Sequence, residues 1–165
     1  MKIIIIVILS LFNFVVVYSQ QTGYISGNAS ANLIQPLSIE AKSGDLDFGN
    51  IIVTESNYSA KIEPKLGKLF VVTGHPGKNI TVRFNSVELT NYEWASKYNG
   101  KLDRLTFIPK VELKSTQQIS DGTNIPLIKN GQKGELQIFV GGEINIKPKQ
   151  EVGDYTGLFI LSVTY

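Results

Sequence analysis

At the end of the chain, bulky apolar side chains fall at every second position. Bulky residues stand at Phe159, Leu161, Val163 and Tyr165, with Ser162 and Thr164 between them. This is the period of a β-strand with one face in a core, because successive side chains point to opposite faces. Burying that face would contribute roughly 6–12 kcal/mol before chain entropy is subtracted. The run therefore predicts a sheet that encloses it.

Three other stretches predict strands in the same way. We interpret Lys68–Phe84 as a hairpin, because two apolar arms flank the glycine-rich loop Gly74–Asn79. Leu105–Leu113 keeps its apolar residues on one face, and Pro109 predicts an edge strand because proline cannot donate to a ladder. A short strand is expected at Ser59–Ile62.

Two further segments alternate but are interrupted. Pro36 divides Ser26–Ala41 into two half-strands, which we expect to pair with different sheets. Asp45–Val53 also reads as a strand, and Gly49 within it predicts a bulge or a corner.

Glu135–Pro148 contains a Gly141-Gly142 pair that suits two architectures. A tight hairpin at the glycines would place apolar residues opposite polar ones, for example Ile138 opposite Asn145. One continuous strand instead keeps every apolar side chain of the segment on one face. We therefore predict a single long strand, kinked at the glycines.

The middle of the chain is less regular. Val87–Gly100 suits either one or two helical turns, opened by a capping box of Thr90 and Glu93, or a loop that carries Trp94 over the end of the sandwich. Ser115–Gly134 reads as a polar excursion. The whole pattern, about seven or eight strands and no long helix, predicts an all-β, antiparallel, immunoglobulin-like (pilin-like) sandwich.

The N-terminus has the form of a secretory signal. Lys2 precedes the apolar run Ile3–Val17, and a polar flank follows. We expect cleavage after Ser19, or one residue later, which leaves residues 20–165 as a single exported domain in the periplasm, at the cell surface or outside the cell. An uncleaved anchor is the alternative, but the run is shorter than the ~20 residues of a membrane span.

Composition removes several function classes. The chain has no cysteine, so disulfides, thiolate metal sites and a cysteine nucleophile are excluded. Its 16 Lys and Arg nearly balance its 14 Asp and Glu, which argues against a nucleic-acid partner. At 165 residues with 42% apolar residues the chain can build a core without disulfides. We expect no membrane span after signal cleavage.

No residue pattern predicts catalysis, a metal site or a cofactor. His75 is the single histidine and is expected to be an exposed turn residue. Asp45 and Asp47 would share one face of a strand, as a cation-binding pair or, as we expect, as solvated side chains. Asp121–Asn124 lacks the spacing of a calcium loop. Tyr155 suits a tyrosine corner, its hydroxyl bonding back across the sandwich. We therefore expect a protein that is not an enzyme.

Several short motifs, taken in order, resemble one known family. They are the runs Ala29–Ile39, Gly44–Asn50, Val72–Gly77, Val140–Ile144, Gly153–Gly157 and Val163–Tyr165. Together they are similar to the exported bacterial domain of unknown function 4402 family, cysteine-poor β-sandwiches that are distantly similar to spore-coat-U and chaperone–usher fimbrial subunits. The resemblance implies a surface or extracellular structural protein and carries over no catalytic residue.

Two functions suit this reading. The first is a fimbria-like structural or adhesion-type subunit that associates with itself or with other surface proteins by strand addition. Its donor segment would be Tyr24–Leu33, with Tyr24, Ala29, Ala31 and Leu33 as anchors. The second is an exported module that binds carbohydrate or another ligand by stacking it on Tyr92, Trp94 and Tyr98, although aromatic residues more often cover a core.

Overall fold

The computed structural model describes residue 28 and residues 30–98, 103–114 and 116–165. The chain divides into two units, Met1–Asn32 and Leu33–Tyr165, and the second contains every helix and strand of the described residues. The strands are β1 (Ser38–Ala41), β2 (Tyr58–Ile62), β3 (Lys68–Gly74), β4 (Asn79–Phe84), β5 (Val87–Thr90), β6 (Arg104–Leu113), β7 (Gln118–Ile119), β8 (Thr123–Pro126), β9 (Ile128–Asn130), β10 (Lys133–Ile146) and β11 (Leu161–Thr164). A 3₁₀ helix spans Pro64–Leu66, and the α-helix α1 spans Tyr92–Tyr98.

Every strand pair is antiparallel, and the pairs form two sheets. The large sheet has eight strands in the order β1-β3-β10-β6-β5, with β2 and β9 also paired to β10 and β7 to β6. The small sheet has three strands in the order β11-β4-β8. The chain is therefore an all-β antiparallel sandwich, as predicted from the alternation of its apolar residues.

The core lies between the inward faces of both sheets. Fully buried side chains come from β3, β4, β6 and β10, and include Val72, Val82, Val111, Ile138 and Val140. A second buried cluster surrounds Phe107, Ile144 and Ile146, on strands β6 and β10. Leu46 and Phe159 pack against both clusters, so the two form one continuous interior.

The long strand predicted across the paired glycines is confirmed. β10 runs unbroken from Lys133 to Ile146, and Gly142 adopts a φ of 152° within it. Gly142 lies opposite Pro109 of β6, where a Cβ would collide with the carbonyl of Ile108. Only glycine adopts this conformation without strain, which explains why a glycine occupies this position.

The edge position predicted for Pro109 is wrong. β6 pairs with β10 on one side and with β5 and β7 on the other. However, the ladder with β5 reaches along β6 only as far as Phe107, and the ladder with β7 starts at Val111, so Pro109 lies in the gap between two short partners. A residue without an N–H is tolerated at such a gap even though the strand as a whole is interior.

The hairpin predicted over Lys68–Phe84 is also wrong. Both arms are strands, but β3 pairs with β1 and β10 whereas β4 pairs with β11 and β8. The residues between β3 and β4 therefore cross from one sheet to the other. Alternation identifies which face of a strand is buried, and it does not identify the neighbouring strand.

The interrupted segments gave fewer strands than predicted. Of the two half-strands around Pro36, the second forms a ladder, as β1, and in the first the described residues 28 and 30–35 form none. Asp45–Val53 has no ladder, because Gly49 takes a φ of 65° and its N–H bonds the side chain of Asp47 at 2.8 Å. Four of its apolar residues, Leu46, Phe48, Ile51 and Val53, still pack against the core, whereas Ile52 is exposed.

The middle of the chain holds more structure than predicted. Val87–Gly100 contributes β5 and α1, so the helical alternative is the right one for Tyr92–Tyr98. The stretch interpreted as a polar excursion contains β7, β8 and β9, and it buries Ile119, Ile125 and Leu127.

Candidate functional site

β11 and the preceding Phe159 cover part of the core. Leu161 is buried, while Phe159 and Val163 are half-buried and pack against the main cluster. The Phe159 ring meets Phe107 edge to face, with centroids 5.8 Å apart. Ser162 is exposed, as the alternation predicted. The strand is thus anchored by its side chains on one face only.

The backbone of β11 is paired on one side only. Its ladder with β4 runs from Leu161 opposite Phe84 to Thr164 opposite Thr81. β4 pairs with β8 on its other side, so β11 is the outer strand of the small sheet. Within the described part of the chain no strand pairs with the second side of β11.

The edge of β11 differs chemically from the other sheet edges. Exposed edges usually carry a charged residue or a proline that discourages pairing with another chain. Apart from the two-residue β7, every other strand with a single partner carries a charged residue or a proline. These are Glu40 in β1, Lys61 in β2, Glu88 in β5, Pro126 in β8 and Lys129 in β9. The sequence Leu-Ser-Val-Thr of β11 has neither. β11 is therefore the longest edge with no such protection among the described residues.

Tyr165 ties the end of β11 to the start of the large sheet. Its hydroxyl accepts a hydrogen bond from the backbone N–H of His75 at 2.8 Å and donates one to the carbonyl of Gln35 at 2.7 Å. The hydroxyl also fills the space beside Gly74 that a Cβ would occupy. Gln35, three residues before β1, therefore lies next to the end of β11.

The anchors predicted for a donor segment are only partly described. Tyr24 and Ala29 lie outside the described residues. Ala31 and Leu33 are exposed, and Leu33 has 89% of its surface in contact with solvent. An apolar side chain this exposed gains free energy when it is buried against a partner.

A second candidate region is built on α1. Asn91, which is buried, accepts a hydrogen bond from the N–H of Trp94 at 3.1 Å, so Asn91 is the N-cap in place of the predicted Thr90. Its side-chain amide donates to the carbonyl of Val152 at 3.1 Å. One residue thus fixes the helix start and the neighbouring loop.

Two of the three predicted stacking residues come together. The rings of Trp94 and Tyr98, one helical turn apart, have centroids 4.2 Å apart and planes inclined by 31°. Tyr92 is not part of this pair, since helical geometry rotates it by roughly 120° or more from both. It is exposed on another side of α1, and a platform of all three side chains does not form.

The titratable residues singled out in the sequence have structural partners. Asp45 accepts a hydrogen bond from Lys68 at 2.8 Å, and this bond, together with the ammonium charge, lowers the pKa of the Asp45 carboxyl. Asp47 accepts a hydrogen bond from the backbone N–H of Gly49 at 2.8 Å. Asp121 accepts a hydrogen bond from the N–H of Phe84 at 2.8 Å. No cluster of three metal-binding side chains occurs in the described residues.

His75 departs from its predicted role, whereas Tyr155 makes the backbone bond of a tyrosine corner. His75 is half-buried rather than an exposed turn residue, and its Nδ1 atom is buried. Tyr155 donates its hydroxyl hydrogen to the carbonyl of Glu151, four residues upstream, at 2.7 Å. A second tyrosine, Tyr165, makes long-range bonds to the backbone, although the sequence predicted it only as an apolar strand residue.

Comparison with known proteins adds one finding. A family model described as a domain of unknown function (DUF4402) matches residues 37–165. A search of curated proteins found no match. Among the residues that the structure describes, none forms a helix of the length and apolarity that crossing a membrane requires.

Proposed function

We propose that this chain, which belongs to the DUF4402 family, is a non-enzymatic structural subunit of the cell surface that assembles by strand addition. The distant similarity of the family that its motifs resemble to spore-coat-U and fimbrial sandwiches supports this role. The signal-like N-terminus supports export to the surface, the periplasm or the medium.

The observation that carries the proposal is the open edge of β11. In strand addition, an extended peptide forms main-chain hydrogen bonds with a sheet edge, and its alternate side chains enter pockets. β11 offers unpaired backbone groups, no charge and no proline, beside the half-buried Phe159 and Val163. A strand added here would extend the small sheet and cover these side chains.

The proposed donor is the segment Tyr24–Leu33 of a second copy. It contains no charged residue, and Ala29, Ala31 and Leu33 share one face of an extended chain. Fully extended, the segment spans roughly 30 Å, longer than β11. The segment is therefore long enough to pair along the whole of β11, and its lack of charge suits the uncharged edge. The exposed Leu33 becomes buried on assembly.

The test compares the mature chain with variants at the acceptor and the donor. Ser162→Lys places a charge in β11, and deletion of residues 20–33 removes the donor. We expect the wild-type protein to form oligomers whose size grows with concentration, and both variants to remain monomeric in light scattering. Ser56→Lys, which adds the same charge at an exposed bend, is the matched control and should assemble like wild type.

Two further measurements make the test decisive. Unfolding midpoints are compared at a concentration low enough for the wild type to be monomeric, and equal values there show that the sandwich itself is intact. Mixing the two variants should restore association, since one supplies a free donor and the other a free acceptor. A wild-type protein that stays monomeric at high concentration, or variants that assemble normally, would exclude strand addition at β11.

A further inference from the structure

We propose that the groove beside α1 is a carbohydrate-binding site in which Tyr98, whose ring is stacked on Trp94, packs its exposed surface against the apolar face of a neutral sugar ring. The aromatic groove is lined by Asn91, Glu93, Trp94, Lys97, Tyr98 and Val152, and it encloses about 200 Å³. None of these residues belongs to β11 or to its ladder, so the site is independent of the assembly edge.

The aromatic pair differs from the other ring contacts of the protein. The remaining pairs in the described residues, Phe48 with Phe107 and Phe107 with Phe159, pack against the core. Tyr98 instead leaves 62% of its surface in solvent, and the neighbouring Val152 leaves 77%. The groove therefore exposes aromatic and aliphatic surface side by side, which a ligand with an apolar face would cover.

The groove is held in shape by hydrogen bonds beneath it. Asn91 is 2% exposed, caps α1 through Trp94 and holds the carbonyl of Val152, so it connects two walls of the groove. Gly153 packs against this amide, where a Cβ would collide with Asn91 Nδ2. Because the walls are already positioned, little of the binding free energy is spent on ordering them.

Polar groups at the rim suit sugar hydroxyls. Lys97 and Glu93 form an ion pair of 3.0 Å with side chains that are 58% and 82% exposed. Such exposed pairs contribute little stability, so either partner can turn to a hydroxyl at small cost. The Tyr98 hydroxyl and the Trp94 indole N–H add two donors, the kind of polar handle that aromatic binding residues provide.

Charge favours a neutral ligand over the other classes that stack on aromatic rings. Glu93 and Lys97 line the groove together as an ion pair, so the groove has no net charge to attract either a cation or an anion. Single-stranded nucleic acid needs a basic groove along its backbone, and here Glu93 offsets Lys97. A sugar ring presents C–H groups on one face and hydroxyls at its rim, which matches the arrangement of the groove.

The experiment uses Trp94 as a reporter, because it is the only tryptophan in the chain. Neutral oligosaccharides from β-glucan, mannan, xylan and chitin are titrated into the folded protein while tryptophan emission is recorded. We expect a saturable change with at least one of them. Tyr98→Ala keeps the reporter and should weaken binding about tenfold, since it removes one stacking ring.

Tyr92→Ala is the matched control, because it removes an exposed tyrosine from the same helix away from the groove. It should leave the affinity unchanged. Lys97→Gln, which leaves both rings in place, should weaken binding by a smaller factor, and this second variant guards against misfolding of Tyr98→Ala. No saturable response to any of the four sugars, or equal losses for Tyr92→Ala and Tyr98→Ala, would overturn the proposal.

Discussion

The Tyr165 hydroxyl accepts a hydrogen bond from the backbone N–H of His75, which lies 90 residues earlier in the chain. The same hydroxyl donates to the carbonyl of Gln35, 130 residues earlier. One side chain therefore joins the outer strand of the small sheet, the crossing between β3 and β4, and the entry into β1.

Replacing Tyr165 with phenylalanine should lower the free energy of unfolding by about 0.5–1.5 kcal/mol, because two backbone groups lose their partner while the ring remains. Urea unfolding measures the loss. Tyr92→Phe is the control, since the structure shows no hydrogen bond for the exposed Tyr92 hydroxyl within the described residues. Equal stability for both variants would show that the Tyr165 bonds contribute nothing.

Ile138→Ala should be the most damaging of the simple core truncations. Ile138 is fully buried at the centre of β10, so the substitution leaves a cavity and costs about 2–5 kcal/mol. Ile52→Ala removes the same atoms from a side chain that is 84% exposed, and it should change stability by less than about 0.5 kcal/mol. Calorimetric unfolding of the two variants compares these values. A small loss for Ile138→Ala would place the core elsewhere.

The Asp45–Lys68 pair gives a prediction about pH. The hydrogen bond from Lys68, and then its positive charge, lower the pKa of Asp45 in the folded protein. A carboxyl whose pKa is depressed by folding stabilises the fold above its unfolded-state pKa, and this contribution disappears as the pH falls through the folded-state pKa. The pair should thus weaken only in the acid range below the ordinary aspartate pKa.

Carboxyl NMR titration measures this shift directly. Lys68→Met should return the pKa of Asp45 towards its ordinary value, because both the donor and the charge are removed. Lys65→Met is the control, since Lys65 is exposed and the structure shows no ion pair for it among the described residues. If Asp45 titrates identically in Lys68→Met and in the wild type, the 2.8 Å contact does not persist in solution.

Much of the fold was predictable because alternation reports burial. It identified β3, β4, β6 and β10 and favoured one continuous strand over a hairpin at Gly141-Gly142. It did not identify partners, so β3 and β4 were assigned to one hairpin although they lie in different sheets. The short strands β7, β8 and β9 were missed, because two to four residues are too few to show a period among polar neighbours.

The candidate sites were predictable to a smaller extent. Residue type alone grouped Tyr92 with Trp94 and Tyr98, whereas the helical angle between them separates Tyr92 from the other two. The cap at Asn91 lies one residue beyond the predicted Thr90, because the Asn91 carboxamide reaches both Trp94 and Val152. The unprotected edge of β11 depends on which strands lie beside it, and local sequence does not contain that information.

The position of β10 has a consequence for how fast the protein folds. β10 pairs with β2, β3, β6 and β9, and only β9 reaches it through a tight turn. Its other neighbours must be brought in from distant parts of the chain, which closes long loops before any contact compensates for the lost entropy. We therefore expect folding on the millisecond-to-second scale of β-rich domains, with the large sheet forming in a late, cooperative step around its central strand.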